Sequence, residues 1–193
     1  DFGTFPFVTS SNTISAGVCT GLGIAPNKIR EVIGVTKAYC TRVGSGPFPT
    51  ELDNEEGEQL RKTGQEFGAT TGRPRRCGWI DLVALHYACM INGITQIVMT
   101  KADVLDAFET LKVCDAYIID GKVGSEIPYQ MDKINIMPKL KEFAGWNTET
   151  TNIKEAKYLP EKMMTYVAFI NQFLEAPVKF ISNGPGREQI VPI

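Results

Sequence analysis

The stretch ITQIVMTKAD, Ile94–Asp103, runs from an apolar segment into a polar turn, and its reading decides the fold. Ile94 to Met99 carries no charged residue, as expected for an interior parallel strand covered on both faces. Thr100-Lys101-Ala102-Asp103 closes that strand. The spacing beyond it predicts a helix from Val104 to Lys112 with Asp103 as its cap. On the other side, Trp79 to Ile91 is almost wholly apolar, the pattern of a helix buried all round. Asn92-Gly93 ends it, because both residue types accept the left-handed backbone of a C-cap.

The same order recurs downstream. Pro160 opens a helix to about Ala176, and Pro177 to Ser182 is a strand ending in the loop SNGPGR, Ser182–Arg187. This alternation predicts an α/β fold, a partial, mostly parallel sheet with flanking helices. An antiparallel hairpin interrupts it, Val113–Asp120 and Lys122–Ile127, turning through the type I′ pair Asp120-Gly121. Pro128–Thr151 has apolar residues without a clean period and reads as irregular. Upstream, Ile29, Val32, Ile33, Thr36, Tyr39, Cys40 and Val43 fall at helical spacing after Pro26, which predicts a helix over Asn27–Val43. Glu55–Lys62 is a short charged helix stopped by Gly64. The opening DFGTFPFVTSSN reads as a strand end running into a loop without an initiating methionine, as a truncated chain would begin.

Composition narrows the function classes. With 193 residues, 43% hydrophobic and 22% charged, the chain is globular in character. A net charge of -2 gives no general attraction to nucleic acid or acidic membranes, so an anionic ligand needs a local basic cluster. Cys19, Cys40, Cys77, Cys89 and Cys114 show no paired spacing, which points to free thiols in a cytoplasmic setting. The longest apolar run, Trp79–Ile91, contains Asp81 and His86 and is too short to span a membrane.

Four loops carry possible chemistry. TKAD places Asp103 at a strand end, where one carboxylate can accept both N1–H and the exocyclic amine of guanine while the stem of Lys101 lies along the base. A capping aspartate beside a solvated lysine gives the same letters. GATTGRPRRCGW, Gly68–Trp79, concentrates Arg73, Arg75 and Arg76 among glycines and threonines, suited to closing on a small dianion. A solvated basic loop is the competing reading, and Pro74 stiffens it either way. VTSSN, Val8–Asn12, offers hydroxyl and amide donors. SNGPGR offers backbone groups to a base or ribose, or is a plain turn. No glycine-rich phosphate cradle is found in the sequence. His86, the only histidine, reads as packed. The pairs Glu55/Glu56 and Asp103/Asp106 read as solvated carboxylates without perturbed acidity.

Together, GTFPFVTSSN, TRVGSGPFPTE, EFGATTGRPRRCGW, MTKADVLD and ISNGPGRE, in this order, closely resemble adenylosuccinate synthetase. The resemblance covers essentially the whole chain and implies the C-terminal portion of that family, residues 1–193 forming somewhat less than half of its length. It implies a P-loop-NTPase-like fold for the complete enzyme, which joins L-aspartate to IMP at the expense of GTP with Mg²⁺. The route is 6-phosphoryl-IMP, then displacement by the aspartate amine. It assigns Thr9, Val43 and Arg73 to IMP, and Thr70, Thr71, Arg73 and Arg75 to aspartate. Arg75, Lys101, Asp103, Ser182 and Gly184 fall to GTP. It places no catalytic residue and no metal ligand in this chain, since the phosphate loop, general base, acid histidine and Mg²⁺ ligands belong to the missing part. A homodimer is implied for the complete enzyme. Pro74 departs from the basic residue the family often carries there. A guanine-nucleotide-binding module without catalysis is the alternative.

Overall fold

The computed structural model describes residues 3–193. The strand end expected at the start of the chain falls in part on Asp1 and Phe2, outside the described residues; from Gly3 to Ser15 the chain runs through bends and turns without a strand. In chain order the elements are α1 (Ala16–Leu22), β1 (Ile33–Lys37), β2 (Cys40–Arg42), α2 (Glu55–Thr63), β3 (Arg76–Gly78), β4 (Ile80–Asp81) and α3 (Leu82–Asn92). They continue with β5 (Gln96–Thr100), β6 (Thr110–Ile119), β7 (Lys122–Gly124), β8 (Met137–Ala144), α4 (Glu161–Phe173), β9 (Val178–Ser182) and β10 (Ile190–Pro192).

The first sheet runs β1-β5-β9-β10, with β1, β5 and β9 parallel and β10 antiparallel to β9. In the second sheet β4 pairs parallel with β6, while β7 and β8 pair antiparallel with it. A short β2–β3 ribbon stands beside them. The main core joins these layers through Trp79, Leu82, Ile97, Leu105, Leu111, Tyr166 and Ile170, all nearly inaccessible. Trp79 meets Phe108 edge-on at 5.6 Å between ring centres, a favoured aromatic geometry. The expected mixed α/β architecture with a mostly parallel sheet is thus the observed one.

Several element boundaries differ, each for a physical reason. The helix expected over Asn27–Val43 is instead a 3₁₀ turn (Pro26–Lys28) followed by β1 and β2. Its β-branched residues favour strand, and the apolar Ile33 and Val35 lie on an uncovered face, 53% and 72% exposed. The helix expected from Trp79 starts at Leu82, because Asp81 caps it, its Oδ1 accepting from the Ala84 N–H at 3.1 Å. That helix is not buried all round, since Met90 is exposed. Gly93 ends it in the left-handed conformation (φ 61°), as expected. Only one 3₁₀ turn, Ala102–Leu105, follows β5 where a helix to Lys112 was expected. From Thr110 the chain instead pairs with β8. Pro128–Thr151 is not wholly irregular, because it contains β8. The hairpin turns through Asp120 (φ 51°) and Gly121 (φ 74°), the positive φ pair that a type I′ turn requires. The late helix and strand are α4 and β9, a little shorter than expected.

Candidate functional site

Parallel strands end together, so loops distant in sequence become neighbours at one edge of the sheet. Lys37 at the end of β1 is in register with Thr100 at the end of β5. Met99 is in register with Ile181, so TKAD and SNGPGR leave adjacent strands side by side. The Ala38 N–H also donates to the Thr100 carbonyl at 2.9 Å, continuing the first pair beyond the strands. The sheet edge therefore gathers Lys37, Lys101, Asp103, Ser182 and Gly184.

Lys101 adopts a left-handed backbone (φ 59°, ψ 32°), unusual for a residue with a side chain. Its ammonium donates to the Gly64 carbonyl and lies 3.5 Å from Glu66. Asp103 is half-buried, and its carboxylate has no hydrogen-bond partner on another side chain among the described residues. Burial raises its pKa, opposed by a backbone hydrogen bond and by Lys101. A carboxylate so placed gains from any ligand that brings two N–H donors. On the neighbouring loop, the Ser182 hydroxyl donates to the Gly184 carbonyl at 3.1 Å. Gln189 braces this loop, its Oε1 accepting from Gly186 N–H at 2.7 Å and its Nε2 donating to Thr151 O at 3.1 Å.

The arginine loop is pinned at its base and open at its tip. The Arg75 N–H donates to Glu66 O at 2.9 Å, Gly68 N–H to Arg73 O at 2.8 Å, and Gly72 N–H to Gly68 O at 2.8 Å. Thr70, Thr71 and Arg73 are exposed. Only Arg73 of the three arginines keeps its guanidinium out of every hydrogen bond among the described residues. Arg75 donates from Nη1 to Glu66 at 2.9 Å. Arg76 is tied to Glu51 and to the carbonyls of Gly44 (3.1 Å) and Gly46 (2.9 Å). Three arginines acting together on one dianion is thus corrected: Arg76 is a strut that shapes the 43–50 loop.

That strut has a counterpart. Arg42 donates to Thr4 Oγ1 at 3.0 Å, Phe7 O at 3.1 Å and Ser45 O at 3.0 Å. It thereby fastens the segment holding Thr9 to the segment holding Val43, and both of those residues remain exposed. The register Arg42↔Arg76 sets Val43 at the end of the ribbon whose other strand leads from the arginine loop.

Sequence reasoning does not single out Glu66, yet it lies at the junction of these parts. It is fully buried. Its carboxylate accepts from Lys37 Nζ at 2.8 Å, Tyr39 OH at 2.6 Å and Arg75 Nη1 at 2.9 Å. Burial pushes its pKa up, but the hydrogen bonds from Lys37 and Tyr39 and the charges of Lys37 and Lys101 outweigh it and hold it at about 2. Tyr39 moves the other way, its pKa raised first by burial and then by Glu66, so it stays a neutral donor. Lys37, Arg75 and Lys101 around one carboxylate leave an excess of positive charge at the sheet edge, favourable to an anionic ligand.

One further expectation changes. Asp103 and Asp106 are not carboxylates on a solvated helix face: burial raises both pKa values. Asp106 is committed to structure, accepting from Trp146 Nε1 and from Thr150 N, each at 2.7 Å. His86 packs edge-on to Phe173 at 6.1 Å, in keeping with a packing role.

Comparison with known proteins identifies the family. The family model described as adenylosuccinate synthetase matches residues 1–191. The adenylosuccinate synthetases of Flavobacterium johnsoniae and Parabacteroides distasonis are each 56% identical over 191 residues, covering 99% of this chain and 45% of theirs. The solved structure of fully ligated adenylosuccinate synthetase from Plasmodium falciparum superposes with a TM-score of 0.95 at 40% identity, over 100% of this chain and 47% of that one. The chain thus spans about half the length of the relatives it matches, and it belongs to the adenylosuccinate synthetase family.

Proposed function

We propose that this chain carries the ligand-reading portion of a GTP-dependent ligase that joins L-aspartate to IMP, giving adenylosuccinate in purine nucleotide synthesis. The observation that carries the reading is the half-buried Asp103 carboxylate, unpaired by any other side chain among the described residues, beside Lys101 and next to the Ser182–Gly184 loop. Asp103 accepts N1–H and the 2-amino group of guanine, and adenine lacks that donor pair. Lys101 lies along the base, while Ser182 and Gly184 meet it from the adjacent strand end.

Thr70, Thr71, Arg73 and Arg75 take the carboxylates of aspartate, with Arg73 also reaching IMP, and Arg75 reaching GTP. Thr9 and Val43 line the IMP side. The pinned base and exposed tip of the arginine loop support a closing movement on the amino acid. Phosphorylation of the IMP O6 and its displacement by the aspartate amine complete the reaction. The groups that move protons and hold the phosphates are assigned to the remainder of the protein. Mg²⁺ is assigned, with those groups, to the remainder of the protein. A cytoplasmic homodimer is the proposed working form.

Incubation of the full-length protein with GTP, IMP, aspartate and Mg²⁺ should yield adenylosuccinate, and absence of product contradicts the reading. The 193-residue chain alone should give no turnover, because positioning without the proton-moving and phosphate-holding groups leaves the main transition-state interactions unsupplied.

A further inference from the structure

Glu66 is held in place by the way α2 ends. Glu66 N–H donates to Arg61 O at 2.9 Å and Gln65 N–H to Lys62 O at 3.2 Å. Gln65 is left-handed (φ 53°), so the termination is a Schellman motif with Gln65 in the position glycine usually fills. This turn delivers a carboxylate into the core directly beneath both ligand loops. Asn54 fixes the other end of α2, its side chain accepting from Gly57 N–H at 3.1 Å.

The partners of Glu66 come from separate parts of the chain. Lys37 and Tyr39 belong to the end of β1 and the turn after it, Arg75 to the arginine loop, and Lys101 to the turn after β5. The carboxylate thus touches one cation from the arginine loop and one from the turn after β5. Arg75 also has an Nε that is buried without a partner, so the Glu66 contact supplies the orientation of its guanidinium. Lys101, in a backbone conformation that side chains disfavour, is held through Gly64 O and Glu66.

We infer that Glu66 is a positioning residue that sets the pose of Arg75 and Lys101 together and so links aspartate binding to guanine-nucleotide binding. The inference rests on the proposed reading of those two loops. Glu66 itself touches no substrate. With a neutral side chain there, Lys37, Arg75 and Lys101 repel one another at close range, and both ligand loops lose their pose in one step. IMP binding is spared, because Thr9, Val43 and Arg73 make no contact with Glu66 among the described residues.

The test is steady-state kinetics of the full-length protein carrying Glu66→Gln, Tyr39→Phe or Asp103→Asn, with thermal melting as a check on folding. Glu66→Gln should raise the KM of both GTP and aspartate about tenfold, in line with loss of charge-assisted hydrogen bonds, and leave the KM of IMP within about twofold. Tyr39→Phe, which removes one neutral donor to the same carboxylate, should raise the same two constants by about two- to threefold. A merely structural Glu66 would lower the melting temperature or the active fraction with both KM values unmoved, and that result overturns the inference. A rise in only one of the two constants does so as well. If Glu66→Gln fails to fold, Tyr39→Phe decides on the same criteria. Asp103→Asn separates the two levels. A raised GTP KM there, with Glu66→Gln inert, faults Glu66 alone. An unaltered GTP KM in Asp103→Asn faults the guanine reading and the coupling with it.

Discussion

The floor of the site and its rim are built on opposite terms. At the floor, Glu66 is buried with its cations and Tyr39 already in place. At the rim, Thr70, Thr71, Arg73, Thr9 and Val43 are exposed, and the Arg73 guanidinium has no hydrogen-bond partner among the described residues. A floor of this kind gains strength from low dielectric and needs no ligand to hold its shape. A rim of this kind makes its energy only when ligand arrives. Substitutions at the rim should therefore register in kinetics and hardly in stability, while those at the floor register in both.

The largest effect should come from the rim. Arg73→Leu in the full-length protein should lower kcat/KM for aspartate by about 100-fold, the loss expected for a paired guanidinium–carboxylate contact. Its melting temperature should stay within about 2 °C, because an exposed, unpaired side chain contributes little to folding. A large fall in melting temperature would place Arg73 with the floor instead.

At the floor, Glu66→Gln should cost stability in a pH-dependent way. The folded-state pKa of Glu66, about 2, lies below its ordinary value of 4.5. Its stabilisation is therefore complete above about 4.5 and is lost as pH falls toward about 2. The gap between wild type and Glu66→Gln in chemical denaturation should be about 3 kcal/mol at neutral pH and should close over that acid range. A gap that persists unchanged at low pH would mean that the charge of Glu66 is not its source.

Asp106 offers a floor without ligand contact. Asp106→Ala removes the acceptor for Trp146 and Thr150 and should cost about 2 kcal/mol in the same denaturation assay, since buried donors lose their partner. Its KM values should move less than those of Glu66→Gln. The smallest change is expected at Gly184. A Cβ there would come within 2.5 Å of the Gln189 amide, displacing the brace on the loop proposed to meet guanine. Gly184→Ala should raise the GTP KM severalfold, with a stability loss of about 1 kcal/mol or less.

The floor and the rim were also unequally legible in the sequence. The loops were readable because glycine, proline and arginine mark them, and their convergence followed from two strand ends in one parallel sheet. Glu66 was not readable. It sits between Gln65 and Phe67 as one more charged residue, and its role comes from three-dimensional neighbours that no spacing reveals. The nearest signal was the helix stop at Gly64, two residues before it. Ile33, Thr36, Tyr39 and Cys40 misled because their helical spacing runs across two short strands and the turn between them. Val104, Leu105, Phe108 and Leu111 fit a helical face, yet the alternating Leu111 and Val113 prevailed through eight paired positions along β8. β8 itself was hidden by Pro138, Lys139, Lys141 and Glu142, the polar dress of an edge strand.

The most direct measurement concerns Asp103, the carboxylate proposed to name the base. Xanthine carries a carbonyl where guanine carries its 2-amino group, so an amide side chain in place of Asp103 matches xanthine and mismatches guanine. Turnover of the full-length protein with GTP and with XTP, wild type against Asp103→Asn, should show a preference that reverses, with GTP losing and XTP gaining about 100-fold or more in kcat/KM. An Asp103→Asn protein that still prefers GTP by the wild-type ratio would contradict the account.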